Sequence, residues 1–498
     1  VGEAGIKRVI NGPMIWSPDS NVLFGPVPEL KNYFCCNGVI PGFSQSGGLG
    51  LLAAEWIIEG ETKYDMFAWD VARFGAWASK EFTKSRVGDQ YAHRFSIHFP
   101  NEERSAGRPV RTRPIYQMQK EMGAVMGFNY GWEHPLWFAE TPGVKDTNGF
   151  TRQNWFEPVG KECQMLREKA GIIDISNFAK YVVQGKKGRD WLDAVFANKM
   201  PTEVGLSCLT PLISRRGGLA GDFTVTLIAQ DEYWIFGAGL AERYHKRFFD
   251  AVPLPKGVSF ESRTEPVCGF NVAGPLSRKI LQGLTNTSLN NEDFQFMRSK
   301  RADLAGIDVK MLRVSFTGDL GWEVHCNKAD QKALYTALLE AGKEFGAGPV
   351  GSRALMAMRV EKGYGSWSRE YSPEYWPHEQ GMDRLCKMDK DFLNKAALQA
   401  VLAQEPREQM VLLHLNEAAV TASNADATGG EPVFKDGNGI GRVTSGAYGY
   451  SVGFSLALAM VKDVGPGDEV EVMVLGQPHK AKILHQPPFD PTGKKLRA

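Results

Sequence analysis

The sequence predicts an α+β protein that closes on an all-β domain. Helical and strand patterns mix across residues 143–404, whereas strand patterns alone fill residues 405–498. The length of 498 residues exceeds what one core ordinarily organises, so two to four domains are expected. Residues 1–75 carry short strands at Asn21–Phe24 and Tyr33–Asn37, a glycine-rich turn, and a helix from Leu49 that ends on Gly60. Residues 76–142 read as a connecting region rich in Arg, Tyr and Trp. Its clearest helix is Ile115–Met126, and it ends in Gly131-Trp-Glu-His-Pro-Leu-Trp-Phe138. In residues 143–404, Phe223–Ile228 alternates as a half-buried strand does. Ala329–Phe345 repeats apolar residues (Leu334, Ala337, Leu338, Ala341, Phe345) at helical steps and is stopped by Gly346, Gly348 and Pro349. The final stretch sets Val411–Leu415, Val433–Phe434 and Glu469–Val474 between the turn signals Asp436-Gly-Asn-Gly439 and Gly465-Pro-Gly467. A small barrel or sandwich follows from that pattern.

Composition excludes several classes. Lys and Arg number 58 against 57 Asp and Glu, so no global field draws nucleic acid or an anionic membrane. The apolar stretch Ser451–Val461 is too short to span a bilayer and is broken by Gly453 and Ser455. The seven cysteines form no CxxC pair and read as reduced thiols, which fits a bacterial cytoplasm or a mitochondrial matrix. Zinc-type His spacing, a nucleophile elbow and a P-loop are all lacking, and no metal is expected. The start at Val1 shows no signal-peptide pattern and reads as a cut end.

Three motifs occur in order: Ser214-Arg-Arg-Gly-Gly-Leu-Ala-Gly-Asp222, Ser315-Phe-Thr-Gly-Asp-Leu-Gly-Trp-Glu323 and Gly441-Arg-Val-Thr-Ser-Gly-Ala-Tyr-Gly-Tyr450. Asp174-Ile-Ser-Asn177, Val272-Ala-Gly-Pro-Leu-Ser-Arg278 and Met358-Arg-Val-Glu-Lys-Gly363 accompany them. Together they resemble the glycine-cleavage T-protein family of tetrahydrofolate-dependent aminomethyltransferases, over about residues 171–484. The resemblance implies that Asp222 is the catalytic aspartate. A carboxylate at a strand mouth can steady a cationic iminium and act as general base, although Asp is also a routine turn residue. Gly218, in the Gly-Gly turn, would let a flat pterin approach the backbone. Glu323 falls on the pterin-binding glutamate, since one carboxylate can accept from adjacent ring N–H groups; the alternative is a strand residue facing solvent. Tyr448 and Arg359 are placed with the folate. For Tyr448 the alternative is an ordinary core or surface tyrosine, and for Arg359 a structural ion pair with Glu361. Two positions depart from the glycine-cleavage pattern: Leu209 stands where a tyrosine is usual, and Leu355 where an arginine is usual unless Arg353 substitutes.

The amino-terminal part resembles something else. Gly5-Ile-Lys-Arg-Val-Ile-Asn-Gly-Pro13, Ser17-Pro-Asp19, the stretch Phe34–Gly50, and Ala54-Glu-Trp56 are similar to the closing segment of flavin-dependent amine dehydrogenases. In the dimethylglycine and sarcosine dehydrogenase family that segment precedes a Gly-Trp-Glu-x-Pro-x-Trp-Phe motif and a T-protein-like domain, which is the order found here. The resemblance implies flavin contact at Gly42, Gly47 and Gly48, with the following helix aimed at the flavin. No GxGxxG element is present, so FAD is expected only if upstream sequence or a partner chain completes the fold. Such a partial domain should expose apolar strand edges, and an oligomer or covering partner is expected. The implied reaction oxidises the N-methyl group of a small amine and captures its carbon on tetrahydrofolate as 5,10-methylene-tetrahydrofolate. The pyruvate dehydrogenase phosphatase regulatory subunit shares the architecture, so a non-catalytic role is the alternative. A folate-dependent demethylase is the third reading.

Overall fold

The first long helix ends where its sequence indicates, on Gly60, which takes φ +80° and donates its N–H to the Trp56 carbonyl. Its beginning differs from expectation. The helix spans Gly42–Glu59, so Gly42, Gly47 and Gly48 lie within its first turns and not in a loop before it. Glycine costs only about 1 kcal/mol per helical position. Packing of Leu49, Leu52, Ala53 and Trp56 against Phe24 and Phe34 holds the segment helical.

The structure is a computed structural model that describes residues 5–498. The chain divides into two units, one reaching Ile97 and including Ser105–Arg108, the other comprising His98–Arg104 and Pro109–Ala498. The expected connecting region is therefore shared between them. The first unit contains an antiparallel hairpin of Leu23–Pro26 (β1) and Phe34–Asn37 (β2). Arg73 is buried there, held by Asp19 at 2.7 Å and by the Val22 and Asp70 carbonyls. The uncovered apolar surface is a helix face more than a strand edge: Phe43, Leu51, Ile57 and Ile58 of Gly42–Glu59 are all exposed.

The second unit opens with the helix Tyr116–Glu121 and a hairpin of Ala124–Asn129 (β3) and Trp132–Phe138 (β4). The helix expected to reach Met126 stops early because of Gly123. That residue takes φ +94°, and a Cβ on it would lie 2.2 Å from the Ala139 carbonyl oxygen. The chain turns there and pairs as a strand. In the Gly-Trp-Glu motif, the guanidinium carbons of Arg111 and Arg113 both lie 3.7 Å from the Trp132 ring, so this tryptophan is a packing element.

Two sheets follow. An antiparallel five-stranded sheet runs in the order Ser259–Ser262 (β10), Ala179–Gln184 (β6), Glu232–Gly237 (β9), Leu219–Ala229 (β8), Ser207–Ile213 (β7). A six-stranded sheet runs Ser299–Leu304 (β12), Ile307–Leu312 (β13), Gly321–Asn327 (β14), Val267–Ala273 (β11), Gly171–Asp174 (β5), Gly348–Val350 (β15). The last domain is a closed barrel of Gln409–Leu415 (β16), Phe454–Val461 (β19), Asn438–Gly449 (β18), Pro432–Lys435 (β17), Glu469–Val474 (β20) and Gln477–Ile483 (β21). The α+β expectation and the terminal barrel are borne out.

Strand alternation then dictates which residues meet. In β8, Phe223, Val225 and Leu227 pack into one core with Tyr181 and Ile235. In β14, Trp322, Val324 and Cys326 pack into another with Phe270 and Val272. The opposite faces look at each other. Val182, Ile228, Trp234 and Phe236 from the first sheet cluster with Val267 and Leu312 from the second. Thr226 Oγ1 lies 2.6 Å from Ser299 Oγ across the same seam. Asp222, on the β8 face of Thr224 and Thr226, and Glu323, on the outer face of β14, therefore both point into the inter-sheet layer.

Glu162, in the helix Phe156–Glu168, ties this framework together. Its carboxyl accepts the Phe138 N–H at 2.6 Å and the Gly351 N–H at 2.7 Å. Burial raises it to about 8 from an ordinary 4.5. In the unfolded chain this group ionises above its ordinary value, while the folded form keeps the proton to about 8. The contribution of this group to stability is thus fully present below pH 4.5 and is lost as pH rises toward 8. Glu162→Gln should flatten that decline when urea unfolding is measured across the window.

Candidate active site

Asp222 sits midway along β8, opposite Pro211 of β7. It keeps part of its surface accessible while protein surrounds it closely. This desolvation raises its carboxyl to about 6 from an ordinary 3.8. Tyr371 lies near enough for Asp222 to push its phenol upward, after burial as the larger cause. The segment carrying Tyr371 is laid along the start of β8, where the Leu219 N–H donates to the Tyr375 carbonyl at 3.0 Å. Behind the strand, His245 is fully buried, with Nε2 3.1 Å from the Ala220 carbonyl, and burial lowers it to about 3. It is a neutral packing residue at any physiological pH.

The space beside the glycine turn before Asp222 is filled by the protein itself. A Cβ on Gly218 would lie 2.1 Å from the Pro373 carbonyl oxygen, so the space it leaves is filled by the chain's own backbone. The close approach expected of a folate at Gly218 is made here by the Pro373–Tyr375 segment, which packs on the hairpin.

Glu323 is partly exposed (13% for its side chain) and stands across from Asn271 of β11 and Leu312 of β13. Asn271 is buried, and its Oδ1 has no hydrogen-bond partner. Below it lies a polar layer unmarked by the motifs. His325 Nε2 is 3.5 Å from Glu323 Oε2, and Lys180 donates to the Ser176 and Phe178 carbonyls at 3.0 and 2.8 Å. Burial lowers Lys180 to about 7, with Arg113 as the next cause. Arg113 itself donates to the Ser176 carbonyl at 2.6 Å. The Asp174–Asn177 motif thus contributes main-chain acceptors to two buried cations. Phe236 lies between the strand of Asp222 and the ring beside Glu323. It pairs in register with Thr224, two residues from Asp222, and its ring stacks on His325 with centroids 4.6 Å apart.

Other expected residues lie elsewhere. Arg359 is buried and both ends of its fork are held by protein: Nη1 donates to Glu370 Oε2 at 2.9 Å and the Tyr364 carbonyl at 2.8 Å, and Nη2 to Ser445 Oγ at 2.5 Å, while Nε has no partner among the described residues. The ion pair weighed against a folate contact there is present, but its partner is Glu370, since Glu361 pairs with Arg167 at 2.6 Å. Arg353 grips Asp146. Tyr448 lies at the seam of the barrel and the helix Phe156–Glu168, against Phe156 and under Arg152, with its hydroxyl donating to the Gly453 carbonyl at 2.9 Å. Gly42, Gly47 and Gly48 belong to the first unit, where a Cβ on any of them would meet nothing within 4 Å. Among the described residues, no cluster of three His, Cys, Asp or Glu could hold a metal, and no helix is long and apolar enough to cross a membrane.

A sheet pair enclosing two carboxylates, followed by a six-stranded barrel, defines an aminomethyltransferase-type fold. The GCVT N-terminal domain family matches residues 115–390, and the glycine cleavage T-protein C-terminal barrel domain matches residues 409–490. The FAD dependent oxidoreductase central domain matches residues 59–112. The aminomethyltransferase T of the Bartonella henselae glycine cleavage system has the same fold, at a TM-score of 0.66 and 21% identity over 76% of this chain and 98% of that one. Mitochondrial dimethylglycine dehydrogenase of Mus musculus is 34% identical over 97% of this chain and 56% of its own length. Mitochondrial sarcosine dehydrogenase of Mus musculus is 28% identical over 99% of this chain and 59% of its own. The chain belongs to the GCVT N-terminal domain family, and over nearly its whole length it is similar to dimethylglycine and sarcosine dehydrogenases. It spans little more than half the length of the curated relatives it matches.

Proposed function

We propose that the second unit binds tetrahydrofolate between its two sheets and transfers to it the carbon of an oxidised N-methyl amine. The observation that carries this is Asp222: a desolvated carboxyl, raised to about 6, on the same inter-sheet layer as Glu323. Glu323 is held where a carboxylate can accept two parallel N–H donors from a flat heterocycle. Asp222 can then hold an iminium by charge and take the proton released when a ring nitrogen adds to it. The residues present fit the ligand, since the partly exposed Glu323 offers acceptor atoms and the Asn271 amide oxygen beside it lacks a partner.

The first unit is read as the closing segment of a flavin domain. Its bare helix glycines and exposed Phe43, Leu51, Ile57 and Ile58 fit coverage by the remainder of that domain, from the same chain or a partner subunit. FAD, when bound by the completed domain, supplies hydride acceptance from the amine. A mitochondrial matrix or a bacterial cytoplasm would suit this reaction, and the amine is of the dimethylglycine or sarcosine type.

Calorimetric titration of the chain with tetrahydrofolate tests the binding half. Stoichiometric binding is expected, and Glu323→Gln should weaken it about ten-fold or more, as loss of charge-assisted bonds does. Absence of any pteridine binding would leave only a shared fold.

A further inference from the structure

We infer that His325 is a positioning residue that fixes the carboxylate plane of Glu323; the inference rests on the folate reading above. The two residues are two apart on β14, so the strand directs both side chains into the same layer. His325 is 1% exposed, and its Nε2 lies 3.5 Å from Glu323 Oε2. The ring is clamped from two sides. It stacks on Phe236 at 4.6 Å with planes 25° apart. Across the register stands Gly269, on which a Cβ would fall 2.5 Å from His325 Nδ1, so the imidazole occupies the room of a missing side chain.

That clamp holds a ring whose nitrogens both lack a hydrogen-bond partner among the described residues, an arrangement that costs free energy and calls for an explanation. Lys310, its register partner on β13, and Lys180 from β6 face it, and burial disfavours its charged form. Burial thus favours the neutral ring, and the Nε2–H tautomer would present its donor to the carboxylate 3.5 Å away. A glutamate side chain has three rotatable torsions, and bidentate recognition of a planar donor pair needs its plane set in advance. The 3.5 Å separation of Nε2 from Oε2 leaves a short movement of the carboxylate to make this bond.

The test is a double-mutant cycle on the full chain, read as the tetrahydrofolate dissociation constant by calorimetry, with thermal melting to confirm folding. His325→Phe keeps a stacked ring and removes the donor. It should weaken binding about ten-fold, the usual effect of losing a bond to a charged group. His325→Gln, which restores an N–H donor, should bind within about three-fold of wild type on the same scale. In the Glu323→Gln background, His325→Phe should add almost nothing, because it acts through the missing carboxylate. Additive losses, or wild-type binding by His325→Phe, would overturn the inference while leaving the folate site standing. Unaltered binding by Glu323→Gln would instead bring down the site reading, and the inference with it.

Discussion

Asp222→Asn is expected to slow methylene-tetrahydrofolate formation by about a hundred- to ten-thousand-fold, the range for removal of a positioned general base. The effect should be confined to one half of the reaction. On the proposed reading amine oxidation belongs to the flavin domain, so an assay on the completed flavoprotein should show amine consumption persisting while the carbon leaves as formaldehyde. The pH dependence sharpens this. Burial raises the Asp222 carboxyl to about 6, and a base works only when ionised. Wild-type transfer should therefore climb as pH rises through about 6, and the Asn variant should lack that limb. Because His245 behind the strand is lowered to about 3 and stays neutral, no second titration from that side confuses the profile. Unchanged product yield from the Asn variant would remove Asp222 from the chemistry.

The fold was legible wherever periodicity and burial agree. Ala329–Phe345 reads as an amphipathic helix and is observed as Gln331–Lys343, and Glu469–Val474 is a strand over that same span. Legibility failed where tertiary contact decides. Nothing local shows that Gly123 must pass the Ala139 carbonyl, or that the space of Gly218 belongs to Pro373. The motifs pointed at Asp222 and Glu323, and the structure sets both on one layer. They could not distinguish a ligand-facing arginine from a buried one, because Arg359 and Glu370 are joined by a turn whose path the sequence does not reveal. His325 could have been found: in Glu323-Val-His325 the two-residue strand period puts both polar groups on one face. Lys180 could not, since its partners are carbonyls of the Asp174–Asn177 turn and Phe178, and a carbonyl leaves no mark on residue type.

Arg359→Ala is expected to destabilise the second unit by about 3–5 kcal/mol, the cost of breaking a buried ion pair from one side. Both side chains are essentially inaccessible, at 1% for Arg359 and 0% for Glu370. Glu370 Oε1 also accepts from Thr444 at 2.7 Å and Ser445 at 2.5 Å, both on β18. The pair therefore fastens the barrel to the helix Ser352–Glu361, and its loss leaves a carboxylate in a dry seam. Lysine should not rescue, because one ammonium cannot reach Glu370, the Tyr364 carbonyl and Ser445 with the guanidinium's fixed fork. Replacing Arg359 and Glu370 together with leucine should cost less than the single change, since no buried charge is then left alone. Urea unfolding of the three variants measures the stability order. Tetrahydrofolate titration of the folded Arg359→Ala protein settles the role: an unchanged dissociation constant is expected, and a ten-fold loss at normal stability would return Arg359 to the ligand.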